Sequence, residues 1–306
     1  MIPSTMDQIN MPRDNTTPSL ASMFSTAEDP DDDTVITGLP PTMTPFTRAA
    51  RPDIPIADIS QLAKVWALIG PGGSGKTVIA RYLCGELLAK GMQARALMAA
   101  LDPTNRTLAE FFDGVLQPPS SNPAETVTWL QNLLQFLAKK RGNAILDFGG
   151  GDVSLARTIT AMPGLADSLE EQGLGLVAAY TLTPRTDDLA SLVTFEQLGF
   201  RPRATALILN LAKADTPAAF DAIRRQPAYK SAIDRGAVEL WLPALSQGVS
   251  LRIERARVQF RQAREGLAPE GRKPASISLL ERIEVREFLE RMAAEFQPIE
   301  SWMPWT

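Results

Sequence analysis

The segment VWALIGPGGSGKTVIARYLCGELL, residues 65–88, limits the fold more than any other part of the chain. An apolar run ends in a glycine-rich stretch, and an amphipathic stretch follows at once. This is G-x-x-x-x-G-K-[ST] in the strand–loop–helix setting that gives the pattern meaning. Gly70, Gly72, Gly73 and Gly75 let the backbone curl so that successive N–H groups face phosphate oxygens. The helix beginning near Lys76 adds its positive end. Ser74 and Val78 complete the expected phosphate cradle. Lys76 is expected to face solvent without ligand and to reach the β- and γ-phosphates, and the Thr77 hydroxyl to ligate Mg²⁺.

Such a loop needs a parallel sheet behind it, and the following sequence supplies one. Candidate strands cover 65–69, 94–100, 144–147, 174–182, 204–209 and 238–242. Candidate helices cover 76–90, 107–112, 124–140, 153–171, 187–198 and 217–235, with two more at 249–265 and 279–296. Strands separated by helices imply right-handed crossovers and a sheet covered on both faces. The expected fold is therefore an α/β P-loop NTPase, with a mostly parallel twisted sheet and C-terminal helices. Its domain is expected over residues 61–265, with a linker, amphipathic helix and tail over 266–306.

Residues 1–60 read as a mostly disordered arm, rich in Pro, Thr, Ser and Asp. It is either a plain solvated tail or the docking site of a protein partner. Residues 1–50 hold seven acids and two bases, a charge of −5, so the other 256 residues carry +1 against the total of −4. The overall acidity therefore does not argue against a basic surface on the folded body. With no histidine and one cysteine, Cys84, histidine acid–base chemistry, a Cys/His zinc site and an internal disulfide are all excluded. Cys84 reads as a small buried residue. No apolar run approaches the roughly 20 residues of a membrane span, and the start lacks a secretory signature. The cytoplasm is the expected location.

Two acids fall where a phosphate site needs them. Asp147 ends the strand in NAILDFGGGD, the place of a carboxylate that holds a Mg²⁺ water, or else of a plain strand-end acid. Gly149–Gly151 would pass close to the γ-phosphate, and Asp152 reads as a helix cap. Asp102 follows the second strand, where it would orient an attacking water or cap a turn before Pro103.

Taken together, GPGGSGKT, then ALDPTNRTL about 25 residues later, then ILDFGGGD, resemble the MinD/ParA/CobQ branch of the SIMIBI class over roughly residues 63–265. DPTNRTLAEFF and TLTPRTDDLASLVTFEQLGFRP are further similar to plasmid TraL/StbC-like proteins. The resemblance implies ATP and Mg²⁺, catalysis by Lys76, Asp102 and Asp147, and a nucleotide-dependent homodimer. In the family's D-x-D-P element Ala100 replaces the first acid, and Asp102 keeps the hydrolytic position. Pro71 stands at the family's signature lysine, which removes a charge contact across the dimer, with Arg106 as a conceivable substitute.

The guanine pattern N-K-x-D is absent, since the chain reads N-L-A-K-A-D from Asn210, so ATP is favoured over GTP. In the resemblance Asn210 bonds the adenine edge and the loop from Pro243 flanks the base; Asn210 is otherwise a turn residue. Ile253, Ala256, Phe260, Ala263 and Leu267 form an apolar stripe, with Arg257, Arg261 and Arg264 beside it. Those arginines are either a solvated face or, as in ParA-like proteins, a non-specific DNA contact. Trp302 and Trp305 are expected to pack on the body or a partner rather than on a membrane. The function expected is a switch ATPase of partition or conjugative transfer. The alternatives are an ATP-dependent small-molecule enzyme of the same superfamily and a non-hydrolysing nucleotide-binding adaptor.

Overall fold

The structure, a computed structural model, describes residues 53–101, 108–267 and 277–306. Six parallel strands form one sheet in the order β2-β3-β1-β4-β5-β6: β1 Ala63–Ile69, β2 Ala96–Ala100, β3 Asn143–Asp147, β4 Leu174–Leu182, β5 Ala204–Asn210 and β6 Val238–Leu242. Every residue of β4, β5 and β6 is buried, which requires cover on both faces of the sheet. This is the expected P-loop NTPase architecture. From β1 the chain proceeds to one side through β2 and β3, then crosses to β4 on the other. The strand order thus reverses at β1, and a crevice opens beyond the carboxyl ends of the strands there.

The helices are α1 Lys76–Ala89, α2 Pro123–Lys140, α3 Ser154–Ala161, α4 Leu165–Glu171, α5 Ala190–Gln197, α6 Asp221–Arg224, α7 Pro227–Asp234, α8 Gln247–Ala256, α9 Phe260–Glu265 and α10 Leu279–Phe296. Three long helices expected from periodicity are broken, each for a local reason. Residues 153–171 divide at Pro163 and Gly164, the latter in the left-handed region with φ 77°. Residues 217–235 form a 3₁₀ turn followed by α6 and α7, because Pro227 has no amide to continue the ladder. Residues 249–265 divide at Arg257, which adopts φ 50°, and Gln259 opens α9 with a capping box. Residues 108–110 form only a 3₁₀ turn, as do 93–95 ahead of β2.

The chain's last residues cover the end of the strands opposite the crevice. Trp302 is buried; its Nε1 donates to Ala57 O at 2.6 Å, and its own carbonyl accepts from Trp66 Nε1 at 2.7 Å. Asn143 Nδ2 donates to Pro304 O, and the buried Lys64 ammonium donates to Thr306 O. The tryptophan tail therefore packs on the body. Ile59 joins the same core, so packed structure begins within the segment expected to be an arm. The rest of that arm, residues 1–52, lies outside the described residues. Phe296 stacks on Trp66 and tilts against Tyr82, tying α10 to β1 and α1. Cys84 is buried on α1, as expected, and burial pushes its thiol pKa up.

Truncating Trp302 opens this joint. Trp302→Ala should cost about 3–5 kcal/mol, the range for deleting a buried large side chain. A fall in the urea midpoint measures it, and an unchanged midpoint would show that the tail adds nothing.

Candidate functional site

Five strand ends converge on one cleft. β1 runs into the loop Gly70–Gly75, and Ala100 at the end of β2, Asp147 at the end of β3, Asn210 at the end of β5 and Leu242 at the end of β6 line it. The cleft holds about 750 Å³, within the ~300–1,000 Å³ usual for small-molecule sites. Gly72, Gly73, Gly75, Lys76, Thr77 and Val78 line it at the loop, with Asp147 and Gly149–Gly150 beside them and Asn210 and Pro243 further along.

The loop's shape depends on glycine at two positions above all. Gly73 and Gly75 take φ 72° and 109°, conformations open to glycine at no steric cost. A Cβ on Gly75 would also meet Leu242 Cδ2 at 2.6 Å and Asn210 Nδ2 at 2.7 Å. Gly75 gives α1 no side-chain cap, so the first turn presents backbone N–H groups suited to an anion.

Two expected cradle residues turn out to hold the loop down rather than to line the cleft. The Ser74 hydroxyl is buried between Pro71 O at 2.9 Å and Thr181 Oγ1 at 2.5 Å. Gly70 packs against Thr181, whose hydroxyl donates to Ile69 O at 3.1 Å. Thr181 escaped the sequence reading; its one signal is a lone threonine near the end of the apolar strand LGLVAAYTL. Asn210 acts from the other side. It is 3% exposed, donates from Nδ2 to Ser74 O at 2.7 Å and accepts at Oδ1 from Ala212 N at 2.9 Å. Both ends of its amide thus serve the loop and the turn after β5.

Lys76 does not face solvent, contrary to expectation. It is 6% exposed, and its ammonium donates to Gly70 O at 2.8 Å and Pro71 O at 2.7 Å. The reason is geometric: the first residue of α1 lies under the arch of its own loop, whose carbonyls supply the acceptors. Thr77 Oγ1 donates to Asp147 Oδ2 at 2.8 Å. Asp147 is 7% exposed, and pairing of Leu68 with Asp147 in the sheet register brings it beside the loop.

One hydroxyl and one carboxylate are hard oxygen donors in contact. That set fits Mg²⁺ shared with phosphates and water rather than a metal caged by protein. Among the described residues, no cluster of three His, Cys, Asp or Glu side chains forms such a cage. Gly150 lies against the loop: a Cβ there would meet Gly72 N at 2.5 Å and Gly72 Cα at 2.6 Å. Asp152 Oδ1 accepts from Ser154 N at 2.8 Å, but the N-cap of α3 is Val153, which has no side-chain cap bond, so Asp152 braces the entry to the helix from one position earlier than expected. Asp102 and Arg106 lie outside the described residues.

The basic stripe does not survive as a continuous face. Arg257 sits in the break between α8 and α9 and pairs with Glu110 at 3.3 Å. Arg261 makes a bidentate pair with Glu86 at 2.7 and 2.9 Å, and Arg264 pairs with Glu265 at 2.5 Å. Each has an acidic neighbour in this structure.

Among the described residues, no helix is long and apolar enough to cross a membrane. No family model and no curated protein matches the chain. Among solved structures, FtsY from Mycoplasma mycoides overlaps with a TM-score of 0.37 at 13% identity, covering 61% of this chain and 63% of its own. FlhF complexed with GTP/Mg(2+) overlaps with a TM-score of 0.35 at 14% identity, covering 62% of this chain and 72% of its own. Overlaps of this size assign neither nucleotide nor activity to this chain.

The contact at Gly150 yields a clean comparison. Gly150→Ala must part the two loops, and if the cleft takes a nucleotide its affinity should fall about tenfold, worth about 1.4 kcal/mol. Gly151→Ala meets nothing within 4 Å and is the control. Equal affinities for the two variants would show that the contact does not shape the site.

Proposed function

We propose that this chain binds ATP with Mg²⁺ in the cleft and hydrolyses it as a switch protein of the SIMIBI class. The observation that carries the reading is the Thr77–Asp147 contact at 2.8 Å beside the arched loop, because a hydroxyl and a carboxylate in contact there are the oxygen pair that Mg²⁺ bound with a nucleotide would take. When bound, Mg·ATP supplies the anhydride whose terminal phosphoryl group passes to water. The chain's residues bind and orient it. First-turn amides of α1 and the Lys76 ammonium, released from Gly70 O and Pro71 O, neutralise phosphate charge. Thr77 and Asp147 hold the metal, and Asp102 positions the water.

ATP over GTP is supported by the turn after β5. Asp215, the nearest acid to a guanine-reading position, does not line the cleft, whereas Leu211, Ala212, Pro243 and Ala244 do. The second N–H of Asn210 is the group left for an adenine edge. Work in partition or conjugative transfer is supported by the TraL/StbC-like segments. Pro71 at the signature-lysine position supports a weaker ATP-driven homodimer than in proteins that keep the lysine.

Lys76→Ala should abolish measurable ATP binding with only a small loss of stability, because Pro71 O keeps the Ser74 amide and hydroxyl as donors and Gly70 is only half-buried. Asp147→Ala should retain weak ATP binding but lose its dependence on Mg²⁺. Calorimetric titration with and without Mg²⁺ checks both. Wild-type affinity in Lys76→Ala would remove the phosphate-loop assignment. A chain that binds ATP but releases no phosphate over many hours would be an adaptor instead.

A further inference from the structure

Arg81 lies on α1 four residues after Thr77. The two share a helix face, and Arg81 sits about 6 Å further along the axis. It is 5% exposed, yet it lines the cleft. Its guanidinium carbon stands 3.6 Å from the centroid of Phe111 and 4.4 Å from that of Phe260. Phe260 is itself packed on Phe288, with centroids 5.1 Å apart, and Ile253 completes that wall.

A guanidinium has five N–H donors, all in its plane. Here Nη2 donates to Val258 O at 3.3 Å, while Nε is buried with no hydrogen-bond partner among the described residues. Bracing the turn between α8 and α9 takes one such donor and no charge. An uncharged donor would do it without the cost of burying a cation. Burial draws the Arg81 pKa down to about 10, partly offset by the field of Glu254, so the group remains cationic at neutral pH. Glu254 is exposed on the same cleft wall, and the structure shows no ion pair between the two.

A rigid, charged, partly unpaired fork between aromatic rings suits an anion that also offers apolar surface. We propose that Arg81 anchors the carboxylate of a small acidic ligand in the part of the cleft walled by Phe111, Ile253, Phe260 and Phe288, bound alongside the nucleotide. This site is additional to the phosphate loop and does not depend on hydrolysis.

The test uses the full chain with Mg²⁺ and a non-hydrolysable ATP analogue, and is repeated without nucleotide. Failure of nucleotide binding is thereby read separately. Acetate, succinate and benzoate are added at constant ionic strength against chloride, with inorganic phosphate as a further arm, and the thermal midpoint is followed. At least one carboxylate should raise the midpoint, benzoate most if the aromatic walls contribute. Arg81→Gln should weaken that carboxylate about ten- to a hundredfold, the usual range for a charge-assisted bond. Glu254→Gln, at an exposed position, should strengthen it by removing a like charge. No rise with any carboxylate would overturn the proposal, as would an equal rise in Arg81→Gln. An Arg81-dependent rise with phosphate alone would overturn the carboxylate assignment. Loss of analogue affinity in Arg81→Gln, with the carboxylate response intact, would place Arg81 in the nucleotide site. If Arg81→Gln does not fold, Glu254→Gln decides, since unchanged carboxylate affinity there contradicts the proposal.

Discussion

The phosphate loop holds backbone conformations that an isolated peptide would not keep, and the buried cluster of Ser74, Thr181 and Asn210 keeps them. Ser74 is gripped from two sides: its hydroxyl meets Thr181 at the end of β4, and its carbonyl accepts from Asn210 at the end of β5. Both partners stand on fully buried strands. Polar groups in such surroundings must be satisfied, so each contact is costly to break. The sheet thereby fixes where the amides of Gly72–Gly75 point before any ligand arrives, and preorganisation of this kind lowers the cost of binding.

The same sheet separates two tasks. At the amino ends of β1 and β3, the Trp302–Thr306 segment and the Ala57–Ser60 segment close the core through Trp66, Lys64 and Asn143. At the carboxyl ends, polar and charged residues face an open cleft. The apolar closure lies at one end of the strands, and the glycine loop and the buried cations Lys76 and Arg81 sit at the other. α1 connects them: Lys76 and Thr77 begin it in the cleft, and Tyr82 packs against Phe296 further along.

Much of this was legible in the sequence, because it rests on short-range rules. Strands β4 and β6 match their expected bounds to the residue, since uninterrupted apolar runs admit few other readings. The loop, Thr77 and Asp147 followed from motif chemistry. What escaped depends on distance across the fold. Nothing near Thr181 in the chain says that it faces Ser74, 107 residues earlier. The inward turn of Lys76 depends on the arch of its loop, and the pairing of Arg261 with Glu86 joins positions 175 residues apart. The broken helices at Gly164 and Pro227 were local and readable, but the apolar period across them outweighed the breakers. Arg257 carried no breaker signal, and α9, which begins just after its left-handed turn, packs on α1 and α10.

The central claim is that a loop held by buried polar contacts from β4 and β5 binds nucleotide phosphates together with Mg²⁺. Calorimetric titration of the wild-type chain with ATP and with GTP, each with and without Mg²⁺, addresses it directly. The account predicts one site per chain, tighter for ATP than for GTP, with affinity rising at least tenfold when Mg²⁺ is present. Absence of binding, or binding indifferent to Mg²⁺, would contradict it.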